Sequence, residues 1–444
     1  MLKPIHNADR SKILAATLAT LILCLLPDLA RSQSLPGWTN HQSIVLNTTA
    51  TGANVAGDVK AFPVPVQLTA ANFDFTQAQA NGADLRFTTA AGAALPYEIE
   101  SWDAAAKKAA VWVKADVKGN DKTQAILMHW GNPAAKSESN SKAVFALEDG
   151  WVGVWHMGEP GNTAAGGYKD ATPNEAHATG FGFQPANTAD CRMGKCPEFK
   201  FSDKRHITLD GPKKALFDIT NKLTFSIWTR ATDYKIEYVT MFAKGDDSWR
   251  VQMYGIYSWG DNNGKYITEM CVESGGDACL EHRDAGMELK PNAWYHLTVV
   301  QDYPNVRYYI NTVSATKNVG GTWTSNPQWP VGIGYQSQTN DRFWEGNLDE
   351  ARVMRVAKDD NWVKLDYESQ REGSKLLEFG AAATGLARDR PSEASRLPPM
   401  QSGRILRYDL HGRWADANPR PGIYLEKRIA GDGTGMTVKR AFIP

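Results

Sequence analysis

The stretch from Gly332 to Gln370 constrains the fold of this chain most: it reads G-I-G-Y-Q-S-Q-T-N-D-R-F-W-E-G-N-L-D-E-A-R-V-M-R-V and then N-W-V-K-L-D-Y-E-S-Q. Its apolar residues Leu348, Ala351, Val353 and Val356 are spaced too closely for one amphipathic helix. Gly332, Gly334 and Gly346 punctuate short segments as turn residues do. The combination predicts the closing strand of a two-sheet β-sandwich and the segment that seals it.

A chain of 444 residues has room for two or three domains, each with a core of its own. From Trp38 to about Phe145 the pattern is short and alternating. Phe62, Val64, Val66 and Leu68 share one face of a strand, and Pro63 and Pro65 the other, which places that strand at a sheet edge because proline cannot donate to a ladder. The runs L-R-F-T, L-P-Y-E-I-E-S-W, A-A-V-W-V-K and A-I-L-M-H-W, separated by Gly92, Gly119 and Asn120, complete an all-β module. A second module runs to about Gly380 through H-I-T-L-D-G, L-T-F-S-I-W, W-Y-H-L-T-V-V and V-R-Y-Y-I-N. In L-T-F-S-I-W, Leu223, Phe225 and Ile227 point one way and Thr224, Ser226 and Trp228 the other, as a strand of a packed sheet requires. Asn263-Gly264 suits a tight hairpin turn.

The closing phrase I-G, then F-W-E-G-N-L-D-E-A-R, resembles the concanavalin A-like, laminin-G-like jelly rolls. That resemblance implies binding of sugars or proteins, or, in a minority, hydrolysis of polysaccharides. The phrases F-P-V-P-V-Q-L, G-A-D-L-R-F-T, P-Y-E-I-E-S-W, V-W-V-K and H-W-G-N-P resemble a bacterial domain of unknown function often placed ahead of a laminin-G-like domain. The last segment, G-R-I-L-R-Y-D-L-H-G-R, then P-G-I-Y-L-E-K-R and V-K-R-A-F-I-P, is similar to the C-terminal sorting modules of bacterial surface and secreted proteins. It implies the secretion machinery of the outer envelope as a partner. The expected division is a signal peptide over 1–32, a β-sandwich module over 33–147, the jelly roll over 148–380, a linker over 381–399 and a small β module over 400–444.

Export follows from the start of the chain. Lys3, Arg10 and Lys12 precede an apolar run from Ile13 to Pro27, and Ala30-Arg31-Ser32 supplies a small-x-small cleavage site. The run is shorter than the ~20 apolar residues that span a bilayer, and no second one follows, so no transmembrane segment is expected once the signal is removed. Cys24 leaves with the signal. The cysteines that remain, Cys191, Cys196, Cys271 and Cys279, lie in close pairs, which predicts local bridges in an exported chain, each stabilising by roughly 2 kcal/mol. A zinc site is disfavoured, since neither spacing is C-x-x-C and no H-x-H or H-E-x-x-H occurs. The formal net charge is zero, which removes the electrostatic argument for nucleic acid or an anionic membrane.

The sharpest catalytic candidate is Glu98-Ile99-Glu100. Residues two apart on a strand share a face, so the carboxylates could stand roughly 6–7 Å apart, within glycosidase range. The spacing is similar to the E-x-D-x-x-E of jelly-roll glucanases. It departs from it in having Glu100 for the central Asp and Asp103 for the second Glu, and it lies in the other module. It is read here as a solvated polar strand face. Glu345, Asp349 and Glu350 form a second acidic group that also lacks the glucanase spacing. Asp349 opens the final strand, where resembling jelly rolls hold a structural calcium, with Asp170 as a second ligand; a turn or salt-bridged Asp is the alternative.

Tryptophan is abundant, with 15 residues. Trp102, Trp112, Trp130, Trp155, Trp228, Trp294 and Trp362 fall in strand-like or sealing motifs, where burial is expected. Trp249, Trp259, Trp323 and Trp329, with Tyr257 and Tyr335, fall in Gly-, Asn-, Asp- or Ser-rich segments and form the expected ligand surface, aided by Asp261, Asn262 and Asn340. His156 and His296 sit beside tryptophans as packed structural residues. No G-x-S-x-G, Walker or dinucleotide fingerprint occurs. The expectation is an exported, all-β, lectin-like protein that binds a polysaccharide or glycoconjugate without cleaving it. The alternatives are a glycoside hydrolase or lyase on the same fold, and an envelope adhesion protein that binds another protein.

Overall fold

The computed structural model describes residues 35–232, 239–245, 249–254, 267–272, 279–281, 290–318 and 326–384, together with strands between 404 and 442; side chains are described over 35–232, 239–245, 290–318 and 326–384. The chain divides into one compact unit that ends at Gly385 and a second over Leu386–Pro444. The expected signal peptide lies outside the described residues. Among those residues no helix is long and apolar enough to cross a membrane.

The first module contributes β1 (Asn40–Leu46), β2 (Val59–Thr69), β3 (Arg86–Thr89), β4 (Tyr97–Asp103), β5 (Lys108–Val117) and β6 (Ala125–Trp130). Strands β2, β5 and β4 form a three-stranded antiparallel sheet in that order. β1, β6 and β3 form part of another. β2 is an edge strand, as Pro63 and Pro65 demand. Both prolines are nevertheless buried, so the strand is covered on both faces.

The second module runs through β7 (Trp151–Trp155), β8 (Thr179–Phe181), β9 (Thr188–Asp190), β10 (Lys195–Phe199), β11 (His206–Leu209), β12 (Lys222–Ala231), β13 (Val239–Lys244) and β14 (Trp249–Tyr254). It continues with β15 (Ile267–Val272), β16 (Cys279–Glu281), β17 (Tyr295–Asp302), β18 (Asn305–Ile310), β19 (Val313–Asn318), β20 (Val331–Ile333) and β21 (Gly346–Met354). An eight-stranded sheet runs β19-β18-β17-β12-β21-β10-β9, with β7 also on β21, and a seven-stranded sheet runs β16-β15-β14-β13-β20-β11-β8. Leu223, Phe225 and Ile227 of β12 point between the sheets and share a core with Ile207, Met241, Phe242 and Ile333. This is the expected jelly-roll sandwich. Asn263-Gly264, expected as a hairpin turn, lies outside the described residues in the connection between β14 and β15.

The outer face of the eight-stranded sheet is covered too. Val300, Tyr309 and Met354 belong to the same buried cluster as Phe62, Val64, Val111 and Trp112 of the first module, so the modules share a core. The helix α1 (Asp360–Gln370) seals this side. Asp359 caps it by accepting the Trp362 N–H at 2.8 Å, and Trp362, Val363 and Leu365 enter the shared cluster.

Beyond α1 the chain returns to the first module. β22 (Leu377–Phe379) and β23 (Ala383–Thr384) pair antiparallel with β1. The boundary expected at 147 therefore does not close the first module, and the linker expected from Ala381 begins inside a sheet. Pairing removes an exposed edge of β1, which would otherwise offer a row of unpaired backbone groups. Gly332 and Gly346, read as turn residues, lie within strands. In the second unit, β24 (Arg404–Tyr408), β25 (Trp414–Ala415), β26 (Gly422–Ile429) and β27 (Gly435–Phe442) form a four-stranded antiparallel sheet.

Candidate functional site between two β-modules

Where β4 and β5 meet β7 and β21, charged side chains converge from both modules. Glu98 and Glu100 both come from β4, whose register with β5 is irregular at Glu100, between Ile99 and Ser101. His156 follows β7, and Glu350 and Arg352 come from β21. His156 Nδ1 lies 2.8 and 3.0 Å from the Glu350 oxygens and 3.8 Å from Glu100 Oε2, and its Nε2 lies 3.2 Å from Glu98 Oε2. Trp112 Nε1 donates to Glu100 Oε2 at 2.7 Å, and the indole stacks on the imidazole at 5.7 Å between centroids.

Arg352 holds the far side. Its Nη2 and Nε donate to Glu350 Oε2 at 2.6 and 3.0 Å, its Nη1 reaches Asp366 at 3.2 Å, and its guanidinium lies 4.4 Å over the Trp112 ring. Gln370 donates to Asp366 at 2.6 Å and accepts from Trp228 Nε1 at 2.9 Å. Glu350 has φ +54, a left-handed conformation that costs on the order of 1–3 kcal/mol and concentrates at functional positions. The β12–β21 register is irregular nearby, between Ser226 and Trp228.

Burial sets the charges. It pushes the Glu100 carboxyl up to about 8, against the pull of His156. Asp349 is raised well above the carboxylate range by burial and by Glu350 beside it. Asp366 is pushed up to about 6 by burial, against Arg352. Burial opposes the ionised forms of Glu350 and His156 as well, but their attraction wins: Glu350 is lowered by His156 and Arg352, and His156 is raised well above its ordinary value by Glu350, Glu98 and Glu100. Attraction therefore favours the ionised forms of Glu350 and His156, whereas burial favours the neutral forms of Glu100 and Asp349.

Glu98, Glu100 and His156 form one wall of a cavity of about 520 Å³, with Trp102, Lys108, Glu159, Asp190 and Lys195 among its other lining residues. The Cys191–Cys196 disulfide, paired as expected, closes the loop that supplies Gly194 and Lys195 to this lining. Gln67 of β2 donates to the Arg192 carbonyl at 3.3 Å, and the Met193 N–H donates to Asp349 Oδ2 at 2.9 Å. Asp190 bonds Lys108 of the first module at 2.9 Å and Lys195 at 2.6 Å. The loop is tied to both modules.

The expected ligand surface fares differently. Tyr335 is buried, with 5% exposure; its hydroxyl donates to Thr208 at 2.7 Å and its ring stacks on Phe343. It is a packing residue, because the glycine-rich strand beside it leaves space that the ring fills: a Cβ on Gly332 would meet it at 2.9 Å. Trp329 is half-buried against Gly245. Asn340 is exposed with φ +54, in the turn closed by Gln336 and Asp341. Tyr257, Trp259, Asp261, Asn262, Trp323 and the Trp249 side chain lie outside the described residues. Cys271 and Cys279 are register partners on β15 and β16; their side chains lie outside the description.

The acidic residues need correction. Glu98 and Glu100 do not form a solvated face, since their side chains are 13% and 4% exposed. Asp170, expected as a calcium ligand, accepts from the Val154, Thr172 and Ala176 N–H groups and the Thr172 hydroxyl. That is two hydrogen bonds per oxygen, and no lone pair is left for an ion. Asp349 lies in the middle of β21 rather than opening it, and the carbonyls around it serve ladders with β12 and β7. His296 is a packed residue as expected, with burial lowering its pKa to about 3. His156 is buried too, but it is the hub of the carboxylate cluster. In sequence, E-I-E and E-G-N-L-D-E stand as two separate acidic groups, Arg352 carries no signal of its own, and nothing local to either group says that they meet.

Residues 81–157 match the family described as Domain of unknown function (DUF2341), and residues 201–364 match the Concanavalin A-like lectin/glucanases superfamily. The chain carries a DUF2341 domain followed by a concanavalin A-like domain. Glu98, Glu100 and His156 fall within the first match and Glu350 and Arg352 within the second, so the cluster lies across the seam. Among solved structures, the chain is similar to domain 4 of a GH43 extracellular arabinanase from Geobacillus stearothermophilus in complex with arabinotriose, at 18% identity and TM-score 0.37, over 49% of this chain and 98% of that one. It is also similar to the binding domain of Paraclostridial mosquitocidal protein 1, at 17% identity and TM-score 0.37, over 50% of this chain and 53% of that one. The binding domain of botulinum neurotoxin DC in complex with rat synaptotagmin II matches at 10% identity and TM-score 0.36, over 66% and 74%. No curated protein matches the chain.

Proposed function

We propose that this chain is an exported bacterial protein that binds a polysaccharide or glycoconjugate without cleaving it, with a sugar unit seated between the DUF2341 and concanavalin A-like domains. The observation that carries this reading is the cavity itself. Its volume of about 520 Å³ suits one or two sugar rings and falls in the ~300–1,000 Å³ range of small-molecule sites. Glu98, Glu159 and Asp190 line it together with Lys108, Lys195 and Trp102, a lining that can accept from and donate to many hydroxyls.

Glycan arrays and polysaccharide pull-down test it. Asp190→Asn combined with Lys195→Ala changes exposed side chains and is expected to weaken binding about tenfold or more, as the loss of charge-assisted hydrogen bonds requires. Binding that ignores this pair but is lost in Trp259→Ala with Trp323→Ala would move the ligand to the loops of the jelly roll.

A hydrolytic reading draws on one observation, that Glu98 and Glu100 both reach the cavity. It predicts release of reducing or unsaturated sugar that Glu98→Gln abolishes. The four-stranded C-terminal unit serves export as a sorting module in this proposal. Removing residues 400–444 is expected to leave the protein in the periplasm, as fractionation would show.

A further inference from the structure

The inter-domain cluster contains a donor set that glycan binding does not explain. Glu100, His156 and Glu350 each present one ligand atom, and these atoms lie within 4.8 Å of one another, the one such grouping of three or more among the described residues. Each side chain is oriented from behind. His156 turns Nδ1 into the cluster while Nε2 meets the Glu98 carboxylate at 3.2 Å. Arg352 occupies Glu350 Oε2 and leaves Oε1 facing His156 Nδ1 at 2.8 Å. Trp112 fixes Glu100 Oε2 at 2.7 Å.

A second, independent observation is the other oxygen of Glu100. This side chain is only 4% exposed, and its Oε1 has no hydrogen-bond partner. A buried carboxylate oxygen with nothing to accept from needs a proton or a cation. Asp349 Oδ1, on the residue before Glu350, is likewise buried without a partner.

We propose that Glu100, His156 and Glu350 bind one divalent transition-metal ion of the Zn²⁺ or Mn²⁺ kind at the seam of the two domains. One imidazole nitrogen and two carboxylate oxygens suit such an ion, whereas Ca²⁺ takes about six to eight oxygens. Glu98 supplies the carboxylate that metal-bound histidines carry on their far nitrogen, and Trp112 and Arg352 orient the two acidic ligands. Glu100 and His156 also line the cavity, so a remaining coordination position is open to water or to a ligand hydroxyl. The ion would take the place of a proton on His156 and join ligands from β4, the end of β7 and β21.

The test uses the full mature chain, stripped with chelator, incubated separately with Zn²⁺, Mn²⁺ or Ca²⁺, desalted and analysed for bound metal by mass spectrometry and titration calorimetry. About one equivalent of Zn²⁺ or Mn²⁺ per chain is expected, with none of Ca²⁺. His156→Gln and Glu100→Gln should lower the affinity about a hundredfold or more. Glu98→Gln, which does not touch the ion, should lower it on the order of 10–100-fold. Circular dichroism checks that each variant folds; if His156→Gln does not, Glu100→Gln decides, since it keeps the shape and the bond from Trp112. No retained transition metal in the wild type, or wild-type affinity in a folded Glu100→Gln, would overturn the assignment. Metal content is read without any glycan, so it can fail or succeed independently of the proposed ligand.

Discussion

Arg352→Met is expected to destabilise the larger unit by about 3–5 kcal/mol, the cost of removing one partner from a buried ionic network. Arg352 is 1% exposed and neutralises Glu350 and Asp366, both fully buried. Methionine fills similar space, so the loss is chiefly electrostatic: two carboxyl groups remain in a medium that solvates them poorly. The guanidinium also rests on the Trp112 ring, and that contact is lost too. Urea unfolding followed by tryptophan fluorescence would show the midpoint falling. Adding Glu350→Gln and Asp366→Asn should recover part of the loss, because the stranded charges are then absent. A single variant as stable as the wild type would show that Arg352 does not hold this network together.

Gly346→Ala should be nearly as damaging. Gly346 opens β21 at φ +136, and a Cβ there would lie 2.2 Å from the Arg230 carbonyl oxygen and 2.9 Å from the Ala231 Cα. These are backbone atoms of the paired strand β12, which cannot rotate away as a side chain would. Overpacking and strain at this φ together cost about 2–6 kcal/mol. Gly211→Ala is the control, because nothing lies within 4 Å of a Cβ placed there. Equal denaturation midpoints for the two variants would mean that β21 and β12 can separate at little cost.

Much of the sandwich was legible in the chain. The alternation in L-T-F-S-I-W named the buried face of β12, and the prolines of β2 named an edge strand. The closeness of Cys191 and Cys196 named their bridge. The candidate site was legible only in fragments: E-I-E and E-G-N-L-D-E stand out as acidic groups, but alternation alone places Glu98 and Glu100 towards water, and the tryptophan beside His156 places it in a core. A polar residue at an alternating position faces away from its own module's core, and only the partner across that face decides whether it meets solvent or protein. Here the partner is a second sheet. Tyr335 failed in the opposite sense, since its glycine neighbours signalled a loop and in fact make room for its ring.

The amino-acid order alone determined which segments are strands, which of their faces are apolar and which cysteines lie near enough to bridge, because these depend on neighbours a few positions apart. Tertiary structure decided that β22 and β23 complete the sheet of β1, that the two modules share one core, and that Glu100, His156 and Glu350 converge. Such contacts join residues distant along the chain, and burying their charges is tolerable only once Arg352 and the opposing acids are in place.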